Sequence, residues 1–231
     1  MRKLLATDPV AATSLNRVIG PDRTFALVRG RLDEAKNIAH AHDATVNDVL
    51  LTVIAGGLRA LLLARGESVD DAVVRIDVPL TLRPQQAREQ ARGNFISQLF
   101  VPVPLGIADP VLRLKHISAD TAVRKAEPHV SAGVVLSSRL VRRLVRKVLQ
   151  RHPVNVTTAD LPGPPIALYL AGAPVLEVFP VLPLMANVSL GVGALSYAGQ
   201  FNLTVIGDRD TYPDLDVFTR GLRAEWAALT G

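Results

Sequence analysis

The stretch ANVSLGVGALSYAGQFNLTVIGD, residues 186–208, decides the fold because it has the pattern of two strands joined by a short turn. Small and apolar residues run through both halves, and Ala198 and Gly199 separate them. A pair of such runs around a glycine-containing turn is typical of neighbouring β-strands. The C-terminal part of the chain is therefore predicted to contribute strands to a sheet.

Upstream, VVRIDVPLTLRP (73–84) also has the pattern of a strand. Val74, Ile76 and Val78 share one face, while Arg75 and Asp77 share the other, which indicates a half-buried strand. Further strands are predicted in RTFALVRGRL (23–32), GNFISQLFVPVPLG (93–106) and LYLAGAPVLEVFPV (168–181). Prolines in the second of these favour a position at the edge of a sheet.

Helical spacing of apolar residues separates the predicted strands. Helices are expected in 32–43, from Thr45 to Gly66, after Asp109, in the basic segment 135–151, and after Pro213. In the helix after Asp109 the apolar face is predicted to carry Leu112, Ile117, Ala119 and Val123. Interleaved strands and helices predict an α/β fold with one mixed sheet packed with helices. We expect an irregular lead-in over 1–23 and a single domain over 24–231.

Composition restricts the classes of partner. The 231 residues carry a net charge of +5, which suits nucleic acid, acidic lipid or a phosphate-bearing cofactor. Aromatic residues are only 4% of the chain, too few for the stacking surfaces of single-strand binders, so no nucleic acid is expected. Cysteine is absent, which excludes disulfides and thiolate sites. Without a long uninterrupted apolar run or a convincing signal peptide, the chain is predicted to be cytoplasmic.

His40 and His42 are the only close pair of histidines, and they are the first candidates for a general base. Residues two apart on a helix point in widely different directions. His40 and His42 therefore cannot act as one stacked pair, and we predict no metal site, since the other histidines have no partner at metal-ligand spacing.

Several longer motifs, in one order along the chain, resemble a known family. They are TSLNRVIGPDRTFALVRGRLDEAKNIAHAHDATVNDVLLTVIAGGLR, VPLTLRP, GNFISQLFVPVPLGIADPVLRLKHI, LPGPPIALYLAGAPVLEVFPV and ALSYAGQFNLTVIGDRDTYPDLD. Together they are similar to the C-terminal half of bacterial wax ester synthase/diacylglycerol acyltransferases (WS/DGAT), over nearly all of residues 13–229. The resemblance implies one lobe of a chloramphenicol acetyltransferase-like fold, in which two lobes enclose a substrate tunnel.

The resemblance also implies that the catalytic base lies elsewhere. In the family the signature His-His-x-x-x-Asp-Gly belongs to the N-terminal lobe, and no two histidines are adjacent in this chain. The chain thus resembles half of an acyltransferase. The expected substrates are acyl-coenzyme A (acyl-CoA) and a long-chain alcohol or diacylglycerol. Acyl-CoA would be a co-substrate, with no permanently bound cofactor, and the partner would be an N-terminal lobe or a second copy.

Family motifs also imply which residues support the tunnel, although each has a structural alternative. These residues are Asn47, Asp48, Thr81, Arg83, Gly93 and Asn94. Asp48 could instead complete a capping box with Thr45. Pro162, Gly163 and Pro164 keep the family's rigid turn, but Ala159 and Asp160 replace its Ser and Asn.

Two further hypotheses follow. The chain could be a non-catalytic protein that binds acyl-CoA or lipid, or an interaction protein, descended from such a lobe. The basic segment 135–151 could make peripheral contact with a membrane or lipid droplet, or it could be a solvated face over a core-facing stripe.

Overall fold

The computed structural model describes residues 13–81, 96–126 and 154–231, apart from the side chains at 80, 81, 96 and 97. Its strands are β1 (Arg23–Arg31), β2 (Val73–Thr81), β3 (Ile96–Pro104), β4 (Val156–Pro162), β5 (Tyr169–Leu170), β6 (Ala173–Pro174), β7 (Leu190–Tyr197) and β8 (Gln200–Asp208). Its helices are α1 (Leu32–Ala41), α2 (Val46–Ala64), α3 (Pro110–Ala126) and α4 (Leu215–Thr230).

Six of the strands form one mixed sheet in the order β1-β8-β7-β4-β2-β3. β2, β4 and β7 are parallel neighbours. β8 runs antiparallel to both β7 and β1, so β1 has the same direction as the parallel group. β3 is antiparallel to β2 and forms the far edge. The predicted α/β class with a mixed sheet is confirmed, as is the edge position of the proline-containing strand.

The β7–β8 hairpin has the structure that its sequence predicts. Its turn residues Ala198 and Gly199 have φ values of 46° and 85°. Two consecutive positive φ values are characteristic of the turn type that matches the twist of two-residue hairpins. Cross-strand pairing then runs from Tyr197 opposite Gln200 to Leu190 opposite Gly207.

The hydrophobic core lies between one face of the sheet and the helices. From β2 it includes Val74, Ile76 and Val78, and α2 contributes residues along most of its length. We call this side of the sheet the helix face and the opposite side the open face. α2 is also long and apolar enough to cross a membrane, but 72% of that window is buried inside the fold. A helix buried to this extent is typical of the core of a folded domain.

A buried ion pair joins two of the helices on the helix face. Arg113 of α3 is 1% exposed and pairs with Glu225 of α4. Arg113 also donates from Nε to the carbonyl oxygen of Ile107, at 3.0 Å. Burial raises the pKa of Glu225, and Arg113 acts in the opposite direction.

Three predictions differ from the structure. The segment 168–181 is not one strand: β5 and β6 form a small hairpin, and the rest has no strand structure. The apolar face predicted for α3 is wrong in part, because Leu112 is 59% exposed and Val123 is 66% exposed, whereas Leu114 and Ile117 are buried. Finally, β4 has no counterpart among the predicted strands. The predicted basic helix over 135–151 lies outside the described residues.

Candidate functional site

The parallel strands β1, β2, β4 and β7 end at a common side of the sheet, which we call the carboxyl edge. In open α/β sheets, ligands bind in the crevice beyond the carboxyl ends of the strands. One implied tunnel residue and one residue of the implied rigid turn end strands there: Thr81 closes β2 and Pro162 closes β4. The backbone therefore brings these two positions to the edge at which a ligand is expected.

The first turn of α2 also lies at the carboxyl edge, because the other end of the helix is held at the opposite edge. Arg59 Nη1 donates to the carbonyl oxygen of Leu105 at 2.9 Å, directly after the end of β3. That end of β3 pairs with the start of β2. Asn47 and Asp48 thus lie at the same edge as the ends of β2 and β4.

Both carboxylate oxygens of Asp48 make contacts within the fold. Its Oδ2 accepts hydrogen bonds from the backbone N–H and the hydroxyl of Thr45, at 2.9 and 2.7 Å. Its Oδ1 accepts a hydrogen bond from the Thr121 hydroxyl at 2.7 Å and lies 4.0 Å from Lys125 Nζ. The predicted capping box is present. The carboxylate of Asp48 therefore fixes the start of α2 against α3.

Asn47 differs from its neighbour. It is half-buried in the first turn of α2, and its side chain makes no hydrogen bond to any residue that the structure describes. Its amide can both donate and accept. Of the two residues in the Asn-Asp motif, Asn47 is the one with a polar group available to a ligand.

The turn over Pro162, Gly163 and Pro164 is clamped onto β7. The N–H of Gly163 donates to Ser196 Oγ at 3.2 Å, and the carbonyl oxygen of Pro164 accepts from the N–H of Ala198 at 3.0 Å. A Cβ at Gly163 would lie 2.1 Å from the carbonyl oxygen of Ser196. Only glycine allows this close approach of two backbones. The predicted rigid turn is thus present, with Pro162 as the last residue of β4.

Two half-buried carboxyl groups were not recognised as candidates from the sequence. Asp77, on the open face of β2, has a buried Oδ1 with no hydrogen-bond partner among the residues that the structure describes, and burial raises its pKa to about 6. Its Oδ2 accepts a 3.4 Å hydrogen bond from Gln98 Nε2. Burial also raises the pKa of Asp160 in β4. In the sequence, a carboxylate that alternates with apolar residues indicates a solvated face, so the pattern gave no sign of this burial.

Residues 163–189, which we call the return segment, lead from the end of β4 back across the open face to β7. A Cβ on Gly193 would lie 3.0 Å from Pro180, and one on Gly191 would lie 3.2 Å from Leu184. Tyr197 holds the segment at two points, because its hydroxyl accepts from the N–H of Leu168 and donates to the carbonyl oxygen of Val175, both at 2.8 Å.

The return segment exposes a large amount of apolar surface. Tyr169 and Leu170, on the β5–β6 hairpin, are 69% and 76% exposed. Other exposed apolar side chains of the segment are Ile166, Leu168, Leu176, Val181 and Met185. Phe25 and Leu27 of the edge strand β1 are exposed on the same open face. Exposed apolar side chains concentrated on one face make that face a candidate binding surface for another molecule.

Charge is nearly absent from this surface. Glu177 is the one charged residue of the return segment, and it pairs with Arg29 of β1 through two hydrogen bonds of 2.5 and 2.9 Å. Arg29 also lies over the ring of Phe179, 5.5 Å from its centroid.

The histidine pair lies at the end of α1, where His40 is exposed and His42 is half-buried. Among the described residues, no group of three or more His, Cys, Asp or Glu side chains could hold a metal ion.

Comparison with known proteins decides the family. The family model described as the WS/DGAT C-terminal domain matches residues 92–230. The chain belongs to the WS/DGAT C-terminal domain family. That assignment confirms the resemblance seen in the sequence.

Curated relatives of this WS/DGAT domain are about twice its length. The putative diacylglycerol O-acyltransferase Rv3480c of Mycobacterium tuberculosis is 31% identical over 248 residues, which cover 100% of this chain and 49% of that protein. The probable diacylglycerol O-acyltransferase tgs1 of the same organism is 28% identical over 229 residues, covering 95% of this chain and 49% of that protein. The chain spans about half the length of the curated relatives it matches.

Solved structures confirm the WS/DGAT-type fold. The wax ester synthase/diacylglycerol acyltransferase from Marinobacter aquaeolei matches with a TM-score of 0.76 at 22% identity, over 95% of this chain and 51% of that one. The PapA2 acyl transferase matches with a TM-score of 0.59 at 11% identity, over 96% of this chain and 47% of that one. At these identities the likeness supports the fold alone.

The roles of the implied WS/DGAT tunnel residues stay predictions. The backbone brings Asn47, Asp48, Thr81 and the Pro162–Gly163–Pro164 turn to the carboxyl edge. The remaining three, Arg83, Gly93 and Asn94, lie outside the described residues.

Proposed function

We propose that this chain is the C-terminal lobe of an acyl-CoA-dependent long-chain O-acyltransferase that makes diacylglycerol-derived lipid or wax ester. It acts with a second lobe that carries the catalytic histidine. Relatives named diacylglycerol O-acyltransferase support the reaction class, and this chain corresponds to half of their length. The observation that carries the proposal is the exposed apolar surface of the open face and the return segment.

A protein lobe fits this surface better than a membrane does. Peripheral binding to anionic lipid relies on Lys and Arg around the apolar residues. The return segment contains neither, and its single acid is already paired with Arg29. A lobe interface needs no such cations, since the cores of interfaces are depleted in charge.

The β5–β6 hairpin is the part of the surface best suited to dock. Tyr169 and Leu170 pair with Pro174 and Ala173, and the turn at Ala171 and Gly172 has positive φ values of 50° and 84°. Such a short hairpin is marginally stable by itself. Strands of a second lobe could continue its backbone pairing, as in strand addition to a sheet edge.

In the proposed reaction the acceptor hydroxyl attacks the thioester carbon of acyl-CoA. A histidine of the other lobe takes the hydroxyl proton as general base. The new C–O bond forms as the C–S bond breaks, and the proton passes to the departing CoA sulfur. No covalent acyl-enzyme is needed. This chain supplies a wall of the tunnel at its carboxyl edge, where Asn47 offers its amide for hydrogen bonding and Asp48 keeps α2 in place.

One observation favours a second function, a non-catalytic protein that binds acyl-CoA or lipid. Asp160 places a half-buried carboxyl where the family motif has an amide, next to Ala159 in place of a serine. An enzyme that has lost its catalytic partner would tolerate such changes.

An acyltransfer assay separates the two functions. Radiolabelled hexadecanoyl-CoA is incubated with dioctanoylglycerol or hexadecanol and this chain, with or without the other half of a full-length relative. Product that requires both polypeptides supports the acyltransferase lobe. Binding of hexadecanoyl-CoA without product in either case supports the binding protein instead.

A variant of the hairpin tests how the lobes dock. Leu170→Asp places a charge on the most exposed large apolar side chain of the return segment, and we expect it to weaken the complex by about ten-fold or more. Leu112→Asp is the matched control, since Leu112 is 59% exposed on α3, which packs on the helix face. Equal loss of affinity in both variants would refute docking through the hairpin.

A further inference from the structure

A cleft opens at the carboxyl edge beside β1, and we call it the edge cleft. It has a volume of about 450 Å³, which is in the range of small-molecule sites. Residues 30–33 and Lys36 line one side, where β1 passes into α1, and residues 198–200 line the other, where β7 turns into β8. The cleft therefore lies at the edge where ligands of open α/β sheets bind.

The walls of the edge cleft are held by contacts between these elements. The N–H of Leu32 donates to the carbonyl oxygen of Gly199 at 3.0 Å, and Arg31 is in register with Gln200 across the β1–β8 pair. The side-chain amide of Gln200 is used in two further hydrogen bonds within the fold. The edge cleft is thus a preformed feature of this part of the sheet.

Of the charged side chains that line the cleft, Lys36 is the one without a partner among the described residues. Arg31 forms a two-point ion pair with Asp33, in which Nε donates to Oδ1 at 3.0 Å and Nη2 donates to Oδ2. Lys36 lies one turn further along α1, is exposed, and makes no hydrogen bond or ion pair with any residue that the structure describes. Its ammonium group is therefore available to an anion.

The attraction for an anion comes from this side chain and not from the end of the helix. The first N–H of α1, that of Leu32, is bound to Gly199, and the N–H of Glu34 donates to Asp33 Oδ1 at 3.0 Å. The carboxylate of Asp33 already occupies the position at which a helix start favours negative charge. A bound phosphate is therefore expected beside Lys36, in the cleft.

An anionic ligand with a long arm fits this position. The sheet order places the edge cleft three strands from the end of β4, about 14 Å away along the carboxyl edge. Acyl-CoA, the co-substrate in the proposed function, carries phosphates at one end and the thioester at the other. Its pantetheine arm is long enough to span this distance. With a phosphate at Lys36, the thioester would lie near the ends of β4 and β2.

We propose that the edge cleft binds the phosphate-bearing nucleotide end of acyl-CoA, with Lys36 as the cation that pairs with a phosphate. The inference rests on the proposed function, which supplies this co-substrate. Lys36 would lie far from the reacting thioester, so its contact is the same in the ground state and in the transition state. It should therefore change the KM for acyl-CoA and leave kcat unchanged.

The test measures acyl transfer to dioctanoylglycerol by this chain together with the histidine-bearing half of a full-length relative. Lys36→Glu should raise the KM for hexadecanoyl-CoA by about ten-fold, with kcat and the KM for dioctanoylglycerol unchanged. Lys36→Arg keeps a cation and should restore most of the affinity. Lys115→Glu is the matched control and should change little, because Lys115 is exposed on α3, which contacts β3 at the opposite end of the strand order.

Two further probes identify the source of the phosphate. Hexadecanoyl-pantetheine has the thioester and the arm but no nucleotide, so Lys36→Glu should leave its KM unchanged. CoA without an acyl chain should bind this chain alone, about ten-fold more weakly in Lys36→Glu, and the difference should shrink as salt is added. If Lys36→Glu instead lost binding to phosphatidylglycerol vesicles and kept its affinity for CoA, Lys36 would belong to a lipid headgroup site and the inference would be wrong.

Failure of this inference differs from failure of the proposed function. Product with an unchanged KM for hexadecanoyl-CoA in Lys36→Glu, or with an equal rise for hexadecanoyl-pantetheine, would overturn the nucleotide site and leave the acyltransferase lobe standing. Binding of CoA that depends on Lys36, without product in the mixture, would support the site and count against the lobe. Neither product nor binding of CoA would contradict both.

Discussion

Asp77 offers the sharpest test of the electrostatics of this fold. Its carboxyl is half-buried on the open face of β2, where Oδ2 accepts a long 3.4 Å hydrogen bond from Gln98 and Oδ1 has no partner in the described part of the chain. Charge at this position is poorly solvated, so the folded state holds the proton more tightly than the unfolded chain does. Asp77→Asn removes the charge and keeps the shape, and we expect it to stabilise the protein above pH 6.

The size of the gain follows from the pKa. Burial raises the pKa of Asp77 from 3.8 to about 6, and each unit corresponds to 1.36 kcal/mol. The full shift is worth about 3 kcal/mol, which residual solvent around a half-buried group reduces to about 2 kcal/mol. Because the folded pKa is raised, the stability of the unmodified protein falls between about pH 4 and pH 6 and then levels off. The advantage of Asp77→Asn should grow over the same interval.

Urea unfolding of both proteins from pH 4 to pH 8 measures this advantage as a difference in the free energy of unfolding. The difference between the two proteins isolates Asp77 from other carboxyls with raised pKa values, such as Asp160 and Glu225. Asp71→Asn is the control, since Asp71 is exposed in the turn before β2 and should change little. A variant no more stable than the unmodified protein at pH 8, or a gain that does not vary with pH, would refute the reasoning.

Three further substitutions test the packing. Arg113→Met leaves Glu225 buried without its cation and should cost about 3–5 kcal/mol in urea unfolding; a loss below about 1 kcal/mol would mean that the pair is not buried. Gly57→Ala places a Cβ 2.8 Å from the ring of Phe218, so a loss of about 1–3 kcal/mol is expected, and unchanged stability would contradict the close contact of α2 and α4. Thr121→Val removes a hydrogen bond to Asp48 and should lower the free energy of unfolding by about 1 kcal/mol.

Local sequence patterns predicted the helices and several strands because apolar residues repeat along each of these elements with the spacing of a helix or a strand. The β7–β8 hairpin, the strand β2 and the helix that begins after Thr45 are examples, and each is confirmed. The half-burial predicted for β2 is wrong, because Arg75 on its predicted solvated face is 5% exposed. β4 was missed because Thr157, Thr158 and Asp160 interrupt its apolar pattern and Pro162 suggests a turn. Its place in the sheet depends on pairing with β7 and β2, which are distant in sequence.

The predicted face of α3 was wrong for a related reason. A helical period alone assigns Arg113 to solvent and Leu112 to the core. In the structure Glu225 of α4 provides the partner that allows Arg113 to be buried, and Leu112 is exposed.

The sequence predicted which residues belong to the candidate site, but it predicted their contacts and burial only in part. The capping box of Asp48 could be derived from four consecutive residues, and the structure contains it. Its hydrogen bond from Thr121, which lies 73 residues away, could not be derived. Burial of Asp77 and Asp160 was also hidden, because burial depends on which elements cover a strand and not on the strand's own sequence.

The central claim is that this chain supplies one lobe of a two-lobed acyltransferase, and a titration tests it most directly. Increasing amounts of this chain are added to a fixed amount of the histidine-bearing half of a full-length relative, with hexadecanoyl-CoA and dioctanoylglycerol, and the rate of product formation is measured. The account predicts no product from either polypeptide alone and a rate that rises and saturates near an equimolar mixture. Product from this chain alone, or no product at any ratio although the two polypeptides form a complex, would contradict it.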